Sequence, residues 1–215
     1  LIGRSVREFL HPEDREAHID AVNAAIAGDA NVQLEERYVW PDGTIVWASN
    51  SISITRDENG NPLNLIAVAR DITERIRATA ELAASERKFR AIADAMPQMV
   101  WSTLPDGYHD YYNQRWYEYT GVPEGSTDGE GWNGMFHPED QERAWARWRH
   151  SLETGEPYDI EYRLRHHSGE YRWVLGRALA IRDADGRIER WFGTCTDIED
   201  LKRSEEARDL LANEL

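Results

Sequence analysis

Seven histidines and one cysteine are the side chains of this 215-residue chain best suited to metal, nucleophilic or acid–base chemistry. Two pairs stand side by side, His109-Asp110 and His166-His167. Adjacent residues of a strand project to opposite faces, so neither pair can chelate a metal through both side chains if these stretches are extended. His166 and His167 also fall at a hairpin end, where polar residues are ordinary. His11 and His137 each precede Pro-Glu-Asp and read as helix caps. A catalytic reading gives His109, Asp110 or His137 general acid–base roles beside an aromatic cleft, and it predicts pH-dependent turnover that is lost when His137 is replaced. Cys195 has no motif around it and reads as a small buried residue rather than a nucleophile. As the single cysteine it forms no disulfide within the chain, which points to a reducing, cytoplasmic setting. Phosphate loops and nucleophile elbows are absent. The expectation is no catalytic residue and no metal.

What positions these side chains is a duplicated unit. Thirteen residues recur in order at a spacing of 126. His11-Pro12-Glu13-Asp14 returns as His137-Pro138-Glu139-Asp140. Glu35, Arg37, Gly43 and Trp47 return as Glu161, Arg163, Gly169 and Trp173. Arg56-Asp57, Gly60 and Asp71-Ile72 return as Arg182-Asp183, Gly186 and Asp197-Ile198. A repeat at this period implies two copies of one folding unit. The net charge of −15 repels nucleic acid and anionic membrane surfaces, so neither is expected as a partner. The longest apolar run, Leu63 to Ala69, is strand-sized, far short of a membrane span.

Pro12 and Pro138 suit a first helical turn, and the acidic residues after them complement the positive end of the helix dipole. Those helices should end at Gly28 and near Gly155. Trp145, Trp148 and Leu152 share one helical face. Three strands follow each helix: Gln33 to Trp40, Thr44 to Ile54 and Leu63 to Arg70, then Tyr158 to His166, Glu170 to Ile181 and Ile188 to Thr196. Pro41-Asp42-Gly43, Glu58-Asn59-Gly60, Ser168-Gly169 and Ala184-Asp185-Gly186 supply the turns. Only the second copy has a preceding hairpin, Met99 to Leu104 and Tyr108 to Tyr112. Asn113 then caps a short helix that Gly121 ends. The spacing predicts a charged helix over Thr73 to Ala95, with a weak heptad at Leu82, Phe89 and Met96, and another helix from Glu199 to Leu215. The order implies an α+β fold, a five-stranded antiparallel sheet with helices on one face.

This architecture, with Met96-Pro97-Gln98, Asp106-Gly107, Asn113 before Arg115-Trp116, Tyr119-Thr120-Gly121, the His-Pro-Glu-Asp element, Gly169-Glu170-Tyr171-Arg172-Trp173 and Trp191-Phe192-Gly193-Thr194, resembles tandem PAS domains with their C-terminal PAC portion. The resemblance covers residues 86 to 200 in the second copy. The first copy matches only from the end of the short-helix region. It implies a partial PAS/PAC domain at 1–73, a helical linker at 74–95, a complete PAS/PAC domain at 96–199 and the start of an output helix at 200–215. It further implies that Asp71 and Thr73, and Asp197 with Glu199 in place of the threonine, tie the last strand to the output helix. These residues read equally as N-caps. Arg208-Asp209-Leu210-Leu211-Ala212-Asn213-Glu214-Leu215 resembles the run-in to the dimerisation helix of HWE-type histidine kinases.

Cofactors are not expected. A flavin-adduct sensor needs a reactive helical cysteine, and Cys195 falls in a strand. A haem sensor needs an axial histidine on the long helix. His150 comes too late, and His18 belongs to a copy without the strands to enclose a macrocycle. The remaining candidate is a small-molecule pocket lined by Tyr112, Trp116, Trp148, Tyr162 and Trp173, or the same space filled by those side chains. Without a first strand, Leu63 to Arg70 would be an open apolar edge that another chain or segment covers. The functional expectation is a regulatory, homodimeric fragment that relays a signal through its helices to a kinase domain in the same chain. The alternatives are control of a cyclic-dinucleotide enzyme or transcription factor, and a pure dimerisation scaffold.

Overall fold

The two His-Pro-Glu-Asp elements fold alike in the computed structural model of the chain, which describes residues 3–28 and 32–213, with no side-chain description for Asn213. In each, the histidine ring accepts a hydrogen bond at Nδ1 from the backbone N–H of the glutamate, at 3.4 Å from Glu13 and 3.3 Å from Glu139. The helices that follow are α1, Arg15–Ala27, entered through a 3-10 turn at Pro12–Asp14, and α4, Pro138–Thr154. Both end at a left-handed glycine, Gly28 at φ 119° and Gly155 at φ 75°, a conformation that a Cβ would penalise.

The chain divides into two units, Leu1–Glu86 and Arg87–Leu215. In the first, β1 (Val32–Val39), β2 (Ile45–Arg56) and β3 (Pro62–Asp71) form an antiparallel sheet in the order β1-β2-β3. In the second, β4 (Met99–Thr103), β5 (His109–Tyr112), β6 (Tyr158–Arg165), β7 (Tyr171–Arg182) and β8 (Ile188–Asp197) form a five-stranded sheet in the order β5-β4-β8-β7-β6. The short helix α3 (Gln114–Thr120) and a 3-10 turn at Gly131–Met135 complete that unit with α4. The expected linker helix α2 runs Thr73–Ala95, and the unit boundary falls inside it. The last helix, α5, is Glu199–Asn213. Glu214 and Leu215, the end of the kinase-like run-in, lie outside the described residues.

A carboxylate fastens each long helix to the first strand after it. Asp14 Oδ2 accepts from the backbone N–H and Nε of Arg37, at 2.7 and 2.9 Å. Asp140 Oδ2 accepts from the same atoms of Arg163, both at 2.9 Å. Burial alone would raise the Asp140 carboxyl, but the Arg163 hydrogen bonds and charge overcome it and hold the pKa at about 2.

In unit 2, inward residues alternate along β6, so Tyr158, Ile160, Tyr162 and Leu164 are buried. They join Trp101, Trp132, Trp148 and Trp191 in one core. In unit 1 every residue of β3 is exposed, including Leu63, Leu65, Ile66 and Val68, and no strand pairs with its outer edge among the described residues. The equivalent edge of β8 is taken by β4, with Trp101 opposite Gly193. Trp101 lies so close over Gly193 that a Cβ there would overlap its ring. No helix of the described residues is long and apolar enough to cross a membrane.

Candidate functional site

The interior of unit 2 is where the sequence puts a pocket. Four of the five expected lining residues meet there: Tyr112 and Trp116 stack at 4.5 Å between ring centroids, while Trp148 and Tyr162 are buried beside them. Little space remains. The cavity they bound holds about 20 Å³, roughly one water, because Trp101, Trp132, Trp148 and Phe136 fill it. Trp148 packs edge-on against Trp101, Tyr158 and Trp191 at 5.3 to 5.5 Å. Tyr162 Oη lies 3.0 Å from Cys195 Sγ, and burial pushes that thiol up to about 11. Neither is a poised nucleophile at neutral pH.

Trp173, the fifth, is on the other face. Side chains alternate along β7, so buried Val174 and Ala178 point into the core while Trp173 points away from it. Its ring instead meets the Arg163 guanidinium at 5.5 Å and Lys202 Nζ, from α5, at 5.8 Å. Trp173 therefore belongs to the sheet–helix junction and not to the pocket.

The histidine pairs separate as strand geometry requires. His109 is buried among Trp101, Tyr112, Trp132 and Trp148, and burial lowers its pKa to about 3. Asp110 faces outward and pairs with Arg190 at 2.7 Å. A neutral, enclosed His109 and a capping His137 do not form an acid–base pair with Asp110. Among the described residues, no group of three or more His, Cys, Asp or Glu side chains is placed to hold a metal ion.

The two junctions are built alike. At the first, Asp71 Oδ1 accepts from Thr73 N at 2.8 Å, and the Thr73 hydroxyl accepts from Trp47 N at 2.9 Å. Ile72 N donates to Trp47 O at 2.9 Å. Hydrogen bonds from the Thr73 backbone and then its side chain lower the Asp71 pKa. At the second, Asp197 Oδ1 accepts from Glu199 N at 2.9 Å, and Ile198 N donates to Trp173 O at 2.8 Å. The Glu199 carboxylate takes over the threonine's task, accepting from Trp173 N at 3.0 Å. Asp197 alone has two further partners, the Tyr119 hydroxyl at 3.0 Å and Arg172 at 3.1 Å. Asp197→Ala should cost about 1–2 kcal/mol, a lost cap plus a lost ion pair, read as a lower denaturation midpoint of unit 2.

A second interior escaped the sequence reading. In unit 1, Glu36 is 1% exposed and its carboxylate is met by Tyr38 Oη at 2.7 Å, Asn50 Nδ2 at 2.7 Å and His18 Nδ1 at 3.0 Å. The second copy has Tyr162, Leu164, Gly176 and Ala144 at the positions of Glu36, Tyr38, Asn50 and His18. Glu36 and Tyr38, two apart on an inward-facing strand, were the available signal.

The fold agrees with comparison to known proteins. The family model described as PAS fold matches residues 1–69 and 109–195, and the chain belongs to the PAS fold family. It is 33% identical over 96% of its length to an uncharacterized protein, y4lL, of Sinorhizobium fredii, covering 25% of that protein. It is 26% identical over 96% of its length to a probable diguanylate cyclase, DgcE, of Escherichia coli, covering 19% of it. Over 92% of its length it is 31% identical to the peroxide stress-activated histidine kinase mak1 of Schizosaccharomyces pombe, covering 13% of it. The chain thus spans a quarter or less of these relatives' own lengths. A solved RNA-binding light-oxygen-voltage receptor aligns over 97% of this chain and 89% of its own, with a TM-score of 0.51 and 12% identity, a likeness of fold alone.

Proposed function

We propose that this chain is the sensory region of a signal-transduction histidine kinase, two PAS units in tandem that pass a change of sheet conformation into α2 and α5. The observation that carries the reading is the repeated junction. In both units a side chain at the start of the outgoing helix accepts a backbone N–H of the second strand after the long helix, from Trp47 of β2 and from Trp173 of β7. A shift of that strand is thereby felt in the helix within one hydrogen bond. The histidine-kinase relative supports a kinase output, and the kinase-like run-in after Arg208 supports the HWE type. The diguanylate-cyclase relative favours a second reading, in which the same region controls a cyclic-dinucleotide enzyme.

The role in this reading is regulatory, and no catalytic residue is assigned among the described residues. The filled interior of unit 2 supports a domain that works by association rather than by enclosing a cofactor. Homodimerisation is supported by an apolar cleft of about 480 Å³ where Phe89 and Ile92 of α2, with Met96 just after it, face Leu179 and Phe192. The test is phosphorylation of the parent protein with labelled ATP. Autophosphorylation that changes several-fold in Glu199→Leu supports the proposal. GTP-dependent cyclic-dinucleotide synthesis with no phosphoprotein supports the second reading instead.

A further inference from the structure

His166 sits at the turn between β6 and β7, where the first copy has Trp40. Backbone hydrogen bonds close that turn, His166 N to Glu170 O at 2.8 Å and Gly169 N to His166 O at 2.9 Å. The ring takes part as well. Its Nδ1 accepts from the backbone N–H of Ser168 at 3.3 Å, with the Ser168 hydroxyl 2.9 Å away. A backbone N–H can only donate, so Nδ1 holds a lone pair and the ring proton is on Nε2. A second proton would set N–H against N–H and break that bond.

From this turn a path of contacts leads to α5. His167 N donates to Tyr119 O at 2.8 Å, and the His166 and Tyr119 rings meet edge-on at 4.9 Å. The Tyr119 hydroxyl donates to Asp197 Oδ2 at 3.0 Å, and Asp197 Oδ1 caps the first turn of α5 through Glu199 N. Burial first, and then the Asp197 carboxylate, raises the Tyr119 pKa, so its hydroxyl stays a donor. The other charged or titratable groups around the His166 ring are Arg115 and Glu118 of α3, Cys195, His167, Glu170 and Arg172. Arg115 and Glu118 pair with each other at 2.9 Å. Burial, then the neighbouring His167 and Arg172, lowers the His166 pKa against a smaller opposing pull from Asp197 and Glu170. A cleft of about 250 Å³ beside the ring opens to solvent, the source of the proton.

We propose that His166 is an acid-release latch on the second junction: taking up a proton, its ring frees the β6–β7 turn from α3, withdraws the Tyr119 hydroxyl from Asp197 and loosens the first turn of α5. The latch rests on the reading of α5 as an outgoing relay and adds a stimulus to it. A folded pKa below 6.5 means that the closed turn is fully held above pH 6.5 and given up as pH falls further. The test is magnetic resonance of the intact chain, following histidine rings and backbone amides from about pH 7.5 to about pH 5. His166 should titrate below 6.5, and the Tyr119, Glu199 and Leu201 amides should shift with its midpoint. His166→Asn keeps an acceptor oxygen for the Ser168 N–H and cannot titrate, so the α5 shifts should shrink several-fold while His167 remains. In Tyr119→Phe, His166 should still titrate and the α5 amides should stand still. The proposal is overturned by α5 amides that move equally in native protein and His166→Asn, by α5 amides that still follow His166 in Tyr119→Phe, or by a His166 midpoint at or above 6.5. Moving α5 amides support the latch even where autophosphorylation of the parent ignores pH, a result that counts against the relay alone.

Discussion

Unit 2 should lose about 2 kcal/mol of stability between pH 6.5 and about pH 5, and most of that loss should vanish in His109→Phe. The cause is burial, which lowers the His109 pKa from 6.5 to about 3, with only a partial offset from its contact with Gly107 O. The unfolded chain takes up the proton first as pH falls. The stability held by neutral His109 is therefore complete above pH 6.5 and declines until about pH 3. The Asp140 carboxylate works in a lower window: its folded pKa of about 2 lies below 3.8, so its stabilisation is whole above pH 3.8 and lost toward pH 2. The more exposed His166 is also lowered, by burial first, and adds in the same direction as His109. Denaturant titrations followed by tryptophan fluorescence report mainly on unit 2, which holds seven of the nine tryptophans. Phenylalanine suits the aromatic surroundings of His109 and cannot titrate. Identical pH slopes in the two proteins would contradict this account.

Trp148→Ala should cost about 3–5 kcal/mol and should open a binding site in an interior that is filled in the native unit. Trp148 is 2% exposed and its Nε1 has no hydrogen-bond partner, so the loss is one of packing and not of polar satisfaction. Its neighbours Trp101, Tyr158 and Trp191 belong to strands and cannot collapse fully into the vacated space. An apolar cavity of this kind stays dry and accepts a matching hydrocarbon ring. Indole should therefore raise the midpoint of Trp148→Ala and leave the native protein unchanged, as differential scanning fluorimetry can show. A small loss, with no rescue by indole, would mean that the interior is not held by interdigitated aromatic rings.

The regular elements were legible because their punctuation is local. Asn113, Gly121, Gly28 and Gly155 cap or end helices at the expected positions. The turn sequences put each strand within a residue or two of its place. Trp173 was misplaced because a repeat match says nothing about strand face. Counting by twos from the buried Tyr162 through its neighbour Val174 puts Trp173 on the outside. Glu199 can stand in place of the threonine because the backbone N–H of Trp173 needs only an acceptor at the right distance. Glu36, Tyr38, Asn50 and His18 were missed for a different reason. They come from three elements, and only folding brings them within 3.2 Å of one another.

If β7 and α5 move as one, the Glu199 carboxylate that accepts the Trp173 N–H is the side chain whose loss should uncouple them. Hydrogen–deuterium exchange of the intact chain, compared between native protein, Glu199→Leu and Glu199→Gln, tests it at the second junction. The account predicts that Glu199→Leu loses protection together at the Trp173 amide and in the first turn of α5, with β4 and β6 unchanged, and that Glu199→Gln, which keeps an acceptor oxygen, retains it. First-turn exchange in α5 that is the same in all three proteins would contradict the claim.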